Sequence, residues 1–464
     1  MIDGLKPYAQ SKASAVSWLG EIPAHWEIKP GFAAYREKQQ KNTGMVEKRV
    51  LSLSYGRIVI KSDDKLHGLV PESFETYQIV NPGDIIIRSV DLQNDWTSLR
   101  VGLVRDRGII TSAYICLNMV GPLLPDYGYQ QLNAFDLMKV FYGMGSGLRQ
   151  NLAFSDFKRM PILIPPADEQ AAIVRFLNHA SGRIERAIGA KQKLMALLNE
   201  QKQAIIHRAV TRGLDPTVPL KPSGIPWLGD IPQHWEVLRA KYIFYEVDER
   251  STSGDEELLS VSHITGVTPR SQKNITMFKA ESYVGHKLCR PGDLVVNTMW
   301  AWMAALGVSA HTGIISPAYA VYRPRRAEKL VGHYIDGLLR TRPYISNIIC
   351  RSTGVRASRL RLYPEEFFRL QIILPPATEQ QRIVEHIAVE TTQLNTALAR
   401  TEREIGLLRE YRTRLIADVV TGKLDVRPTA RHLPVETMEP ETAVASADLP
   451  DDAELESEPA DANP

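Results

Sequence analysis

The feature that most constrains this chain is that it is written twice. Trp18-Leu19-Gly20-Glu21-Ile22-Pro23-Ala24-His25-Trp26-Glu27 returns as Trp227-Leu228-Gly229-Asp230-Ile231-Pro232-Gln233-His234-Trp235-Glu236, shifted by 209 positions. Glu72-Ser73-Phe74 returns as Glu281-Ser282-Tyr283, and Pro82-Gly83-Asp84-Ile85 as Pro291-Gly292-Asp293-Leu294, at the same shift. Ile164-Pro165-Pro166-Ala167-Asp168-Glu169-Gln170 matches Leu374-Pro375-Pro376-Ala377-Thr378-Glu379-Gln380 at a shift of 210, and Val210-Thr211 and Leu214-Asp215 match Val420-Thr421 and Leu424-Asp425. A frame kept over so long a period is the duplication of a whole module rather than a short solenoid repeat. Between the landmarks the halves diverge; Arg57-Ile58-Val59-Ile60-Lys61, for instance, has no recognisable copy. One scaffold presenting two different surfaces is the economical reading.

Each half reads as a mixed domain followed by a long helix. Leu51-Ser52-Leu53-Ser54 and Leu259-Ser260-Val261-Ser262 alternate with period two, as half-buried strands do. The Pro-Gly-Asp turns feed the strands Ile85-Ile86-Ile87 and Leu294-Val295-Val296. Pro161 to Pro166 must be extended, because proline disfavours helix at the residue before it. Helix starts just beyond, with Asp168 or Thr378 as caps and Glu169 or Glu379 favouring the dipole. A heptad follows in Ile173, Leu177, Ala180, Ile184, Ala187, Lys191, Leu194, Leu198, Gln201 and Ile205. Its copy is Ile383, Ile387, Glu390, Leu394, Ala397, Thr401, Glu404, Leu408, Tyr411 and Leu415, supplemented by Leu398 and Ile405. Two such stripes in one chain predict an antiparallel coiled coil, each helix spanning about 60 Å at ~1.5 Å per residue. The fold class expected is therefore α+β: two tandem mixed α/β domains, separated and followed by long helices.

Charge is compatible with an anionic partner. Residues 431–464 hold ten of the 53 acidic and one of the 56 basic residues, which leaves a net of +12 on residues 1–430. A moderately basic body permits nucleic-acid binding. The Ala-, Pro- and acid-rich end has too little apolar content to fold and reads as a disordered tail. Cys116, Cys289 and Cys350 are scattered, so they read as small buried hydrophobes in a reducing cytoplasm, with no structural zinc. No apolar run reaches the length of a membrane span, and the N-terminus lacks the apolar stretch of a signal peptide.

Catalytic signatures are missing where they would be diagnostic. No GxxxxGK[ST] loop supports ATP hydrolysis, and Gly143-Met144-Gly145-Ser146-Gly147 reads as a flexible turn. The Pro-Pro segments lack the preceding Asn or Asp and the following aromatic that adenine methyltransferases use on an extruded base. No HExxH or His/Cys/Asp cluster predicts a metal. His25 and His234 belong to a repeated landmark and read as packing residues; Trp18, Ile22, Pro23 and Trp26 read as a domain-opening clasp, an exposed platform for bases being the alternative. Gly147-Leu148-Arg149 matches Gly354-Val355-Arg356, and Phe157 matches Phe367. Arg149 and Arg356 on these glycine-flanked loops are the candidate DNA-binding residues, for a phosphate or a guanine edge, with a structural ion pair as the other reading.

These doubled motifs, in this order over residues 14–425, resemble the specificity subunit of type I restriction-modification systems. The resemblance implies two target recognition domains, residues 1–165 and 216–375, each reading one half of a bipartite asymmetric site on double-stranded DNA. It implies a central spacer helix at 166–215 and a C-terminal one at 376–425, which set the gap between half-sites and dock two methyltransferase subunits; restriction subunits join these. Residues 426–464 fall to the acidic tail. The chain itself would then carry no catalytic, cofactor or metal site, and S-adenosylmethionine, ATP and magnesium would belong to the partner subunits. Two rivals are a methyltransferase with its own recognition domains and a purely structural coiled-coil scaffold. The first lacks its motifs, and the second leaves the divergent interiors unexplained.

Overall fold

The computed structural model describes residues 5–61, 73–93, 95–144, 150–272, 282–354 and 360–434. The chain divides into two compact units, the first made of residues 1–191 and 403–446 and the second of 192–402 and 447–464. The division falls inside both long helices, α1 (Ala167–Arg212) and α2 (Ala377–Val420).

In the first unit the strands β1 (Tyr35–Glu37), β2 (Ile85–Ile87), β3 (Val101–Leu103) and β4 (Ile115–Met119) form an antiparallel sheet in the order β1-β4-β2-β3. In the second, β5 (Phe244–Val247), β6 (Leu294–Val296), β7 (Leu306–Val308) and β8 (Ala320–Pro324) repeat that order as β5-β8-β6-β7. The inner strands are buried on both faces, which is why Ile85-Ile86-Ile87 and Leu294-Val295-Val296 are unbroken apolar runs rather than alternations. The expected strands at Leu51–Ser54, Leu259–Ser262 and Pro161–Ile164 are present. Arg57–Ile60, which has no copy in sequence, has one in space: it pairs with Leu51–Ser54 as Gly266–Pro269 pairs with Leu259–Ser262. The backbone hairpin persists while its side chains change.

The Pro-Gly-Asp turns are frame, for a physical reason. The Asp84 carboxylate accepts the Asn81 N–H at 2.8 Å and Asp293 accepts the Arg290 N–H at 2.9 Å, closing each turn over a glycine at φ +91°. Both carboxylates are buried and both take a cation, Lys38 at 2.6 Å in one unit and Arg323 at 2.8 Å in the other. The same function is met from different strand positions.

The long helices pair antiparallel in both units. Glu185 meets Arg412 at 2.8 Å and Lys191 meets Glu404 at 2.5 Å in the first unit, while Lys202 donates to Asn395 at 2.8 Å in the second. As one number rises the other falls, the signature of antiparallel register. The buried seam departs from the heptad by one position in places. Leu194 and Gln201 are exposed and Met195 and Lys202 are the half-buried neighbours; on the partner helix Glu390 is exposed and Thr391 is buried. A 3.6-residue helix drifts about 20° per heptad against a 3.5 repeat, and in so short a pairing the drift shifts the contact. Thr391 and Thr401 enter the seam without penalty because each hydroxyl returns to a carbonyl four residues back, at 2.7 and 2.8 Å.

Two further expectations need correction. Cys116 and Cys289 are buried, and burial pushes their thiols up to about 12 and about 11, but Cys350 lies exposed on the helix Arg342–Arg351. Residues 426–434, assigned to the tail, are folded: Arg427–Ala430 is a helical turn with Val426 and Ala430 buried. The Asp425 N–H donates to the Lys6 carbonyl at 2.8 Å, and Arg427 chelates Asp425 and stands 5.0 Å from the Tyr8 ring centre. The acid-rich stretch beyond 434 lies outside the described residues. Among the described residues no helix is long and apolar enough to cross a membrane.

Candidate nucleic-acid interface

The repeated motifs account for one another. Glu169, nearly fully buried, accepts from Trp26 Nε1 at 3.0 Å and from His25 Nε2 at 2.7 Å, and Tyr8 donates to it as well. Glu379 takes His234 Nε2 at 2.6 Å in the second unit, where Trp235 Nε1 has no hydrogen-bond partner among the described residues. Next in sequence, Gln170 accepts the Leu124 N–H at 2.9 Å and donates to the carbonyls of Pro165 and Pro122 at 2.9 and 3.1 Å. Gln380 does the same with Val331, Pro375 and Lys329. The Glu of each Glu-Gln pair therefore anchors the tryptophan motif, and the Gln staples the helix start to a loop of the domain. Trp26 and Trp235 are wholly buried, which removes them as platforms for bases.

With the frame assigned, the divergent edges stand out. The connection between β2 and β3, residues 88–100, is organised by Arg100, whose guanidinium is fully buried. It donates to the carbonyls of Val90 at 2.8 Å, Asp91 at 3.0 Å and Asp95 at 2.7 Å and to Tyr142 Oη at 3.0 Å. This holds Trp96, 53% exposed, in a stack on Tyr142 with ring centres 4.6 Å apart. The connection between β6 and β7 has no such arginine, yet it presents Trp300 and Trp302 stacked at 5.7 Å. In both, an indole N–H returns to the carbonyl three residues earlier, Trp96 to Gln93 and Trp302 to Met299. These three exposed and half-exposed indoles are not legible in the sequence because none of them lies on a repeated landmark.

Arg149 and Arg356 lie outside the described residues. The chain on their C-terminal side is fixed: the Leu152 N–H donates to the Ser89 carbonyl at 2.8 Å and the Leu362 N–H to the Thr298 carbonyl at 2.9 Å. Ser89 and Thr298 begin the tryptophan-bearing connections, so each unit brings the flank of its Gly-x-Arg loop against its aromatic loop. In the first unit a groove of about 530 Å³ opens there, with Ser89 and Leu152 in its lining and Lys38, Lys41 and Lys158 around it. Among the described residues no group of His, Cys, Asp and Glu side chains could hold a metal ion.

Asp136, on the helix Pro125–Leu137, supports Arg100 from below by accepting its backbone N–H at 2.7 Å. Burial pushes this carboxyl up to about 6, while its second oxygen has no hydrogen-bond partner among the described residues. A folded-state value above the unfolded one means the native state binds more protons between about pH 4 and 6, so stability falls as pH rises through that window and levels off above it. Asp136→Asn is therefore expected to stabilise the protein by roughly 1–3 kcal/mol at pH 7.5, and by less at pH 4.5. Thermal melts at both values check this; equal gains, or none, would contradict it.

No family model matches the chain. Over 238 residues it is 22% identical to a protein of Methanocaldococcus jannaschii described as a type I restriction enzyme MjaX specificity subunit, a match covering 47% of this chain and 53% of the relative. The chain thus spans about half the length of the curated relative it matches. A solved structure from work on the complex assembly and conformational transition of the type I R-M system matches with a TM-score of 0.56 at 15% identity, covering 86% of this chain and 98% of that one. The HsdS subunit of Thermoanaerobacter tengcongensis is 16% identical, covering 87% of this chain and 98% of its own, with a TM-score of 0.38. The chain resembles type I restriction-modification specificity subunits in sequence, and its fold is that of the type I R-M structure.

Proposed function

We propose that the chain is the DNA-reading subunit of a type I restriction-modification enzyme, each unit reading one half of a bipartite, asymmetric site. The observation that carries this is the contrast just described: one sheet order, one set of Glu-Gln staples and one hairpin in both units, with different side chains at the same edge. A scaffold alone has no use for a conserved frame around unlike surfaces. Unequal readers recognise unequal half-sites, so the target is not palindromic. The long helices set the unread gap and dock two methyltransferase subunits, which restriction subunits join in the cytoplasm. The chain is not the catalyst: S-adenosylmethionine, ATP and magnesium act on the partners, and Arg149 and Arg356 are the DNA-contacting candidates on the chain itself.

Methylation mapping tests the reading. The purified chain with a labelled methyl donor is expected to transfer no methyl groups, and with its methyltransferase subunits to methylate one bipartite motif. Exchanging residues 216–375 for those of a relative is expected to change one half of that motif and leave the other. Methylation by the chain alone, or a change in both halves, would sink the proposal.

A further inference from the structure

We infer that the groove beside β1 in the first unit is a phosphate-binding site for duplex DNA that the second unit lacks. The inference rests on the chain's being a DNA reader, and it says which unit carries more of the electrostatic attachment.

The groove brings together residues remote in sequence. Lys38 is already committed to buried Asp84 at 2.6 Å. Lys41 and Lys158 are exposed and have no ion-pair partner among the described residues, and both face the groove. Gln39 and Ser155 add exposed neutral polar groups, the Gln78 amide being spent on the carbonyls of Thr111 and Tyr114 and the Ser112 hydroxyl on that of Thr76; Glu37 is the carboxylate in the lining. Two ammonium groups without an ion-pair partner among the described residues, beside the Gln39 amide and the Ser155 hydroxyl, suit the oxygens of a backbone phosphate, to which lysine binds as a point charge.

The same positions in the second unit are filled otherwise. Lys41 bridges Gln78 as Arg250 bridges Lys287, which fixes the correspondence without appeal to sequence likeness. There Arg250 and Lys287 are both bound to Asp248, at 3.1 and 3.6 Å, and Asp248 stands where the first unit has Gln39. Glu249 engages Arg323 at 2.9 Å and Arg290 at 2.7 Å. Counting from the shared Phe157 and Phe367, Lys158 is replaced by Phe368, packed on Tyr322 at 5.5 Å, and Ser155 by Glu365. Lys41 and Lys158 of the first unit are open to a ligand; Arg250 and Lys287 of the second are held by Asp248.

Each phosphate neutralised lowers the slope of log affinity against log salt by about 0.9. Binding of the full chain to a mixed-sequence duplex is measured by fluorescence anisotropy across a salt series. Lys41→Gln with Lys158→Gln is expected to flatten that slope by roughly two and to weaken binding uniformly across sequences. Arg250→Gln with Lys287→Gln is expected to leave the slope unchanged, and Glu37→Gln to tighten binding. Lys41, Lys158 and Arg250 are exposed, Glu37 is half-buried and Lys287 is buried, and the thermal melt of the lysine double variant should match the parent. An unchanged slope in that variant, or equal flattening in both pairs, would overturn the inference while leaving the chain a DNA reader. No duplex binding by the parent chain would overturn the reading and the inference together.

Discussion

Gln170→Leu is expected to lower the melting temperature by roughly 6–20 °C and to abolish protection of the surrounding amides from hydrogen exchange. The change keeps volume but removes three hydrogen bonds at once, stranding the Leu124 N–H and the carbonyls of Pro122 and Pro165. Each stranded group costs about 1–3 kcal/mol when water cannot replace the lost partner, and two of the three sites are partly open, so a total of about 3–5 kcal/mol is reasonable. Against a native stability of some 5–15 kcal/mol that is a large fraction. For units of this size a kilocalorie moves the melting point by about 2–4 °C. Gln380→Leu should do the same in the second unit, where the stranded partners are Val331, Pro375 and Lys329. Gln381→Leu is the control, since that exposed amide only bridges to Glu385 on the same helix. Hydrogen-exchange mass spectrometry locates the damage. A shift of under a degree for Gln170→Leu would mean that the staple is ornamental, and the recurrence of the Glu-Gln pair would need another cause.

That pair also shows where a sequence stops being legible. The helix start after Pro-Pro follows from local chemistry, and local reading sees Glu169 as a dipole partner. Its actual partners, His25 and Trp26, stand more than 140 residues away. A signal was nonetheless present: His25 and Glu169 are 144 residues apart and His234 and Glu379 are 145, so both members move with the frame. The heptad is a similar half-success. Apolar spacing reveals helices that pair, but the seam follows the true helical period, and Thr391 rather than Glu390 enters it. The groove was beyond reach because Lys41, Ser112 and Lys158 line it from segments far apart in the chain. Polar surface positions carry no periodic signal of their own.

The pairing of the two helices makes the proposed ruler testable in a sharper way than either stripe alone. Lys191 faces Glu404 and Lys202 faces Asn395, so positions 198 and 398 lie at the same height of the antiparallel pair. Inserting four residues after Leu198 alone would lengthen one helix and slide these contacts out of register, and such a variant is expected to fail to assemble. Inserting four residues after both Leu198 and Leu398 keeps the helices matched. Each gains about 6 Å, close to two base pairs of duplex at ~3.4 Å each. The four residues turn the helix by about 400°, a residue of roughly 40° beyond a full turn. Two base pairs turn the duplex by roughly 70°, at 10–10.5 pairs per turn. The mismatch is a small twist, and a four-residue stutter relieves part of it by locally unwinding the coil. If the chain reads both half-sites from a scaffold of this length, the doubly inserted variant should methylate, with its partners, the original half-sites separated by about two more base pairs. A matched insertion of two residues instead rotates the stripes by about 200° and should abolish activity. Long-read methylation maps of cells carrying each variant decide the matter. Full methylation at the original gap by the four-residue double insertion would show that the spacing is set elsewhere than in the helices.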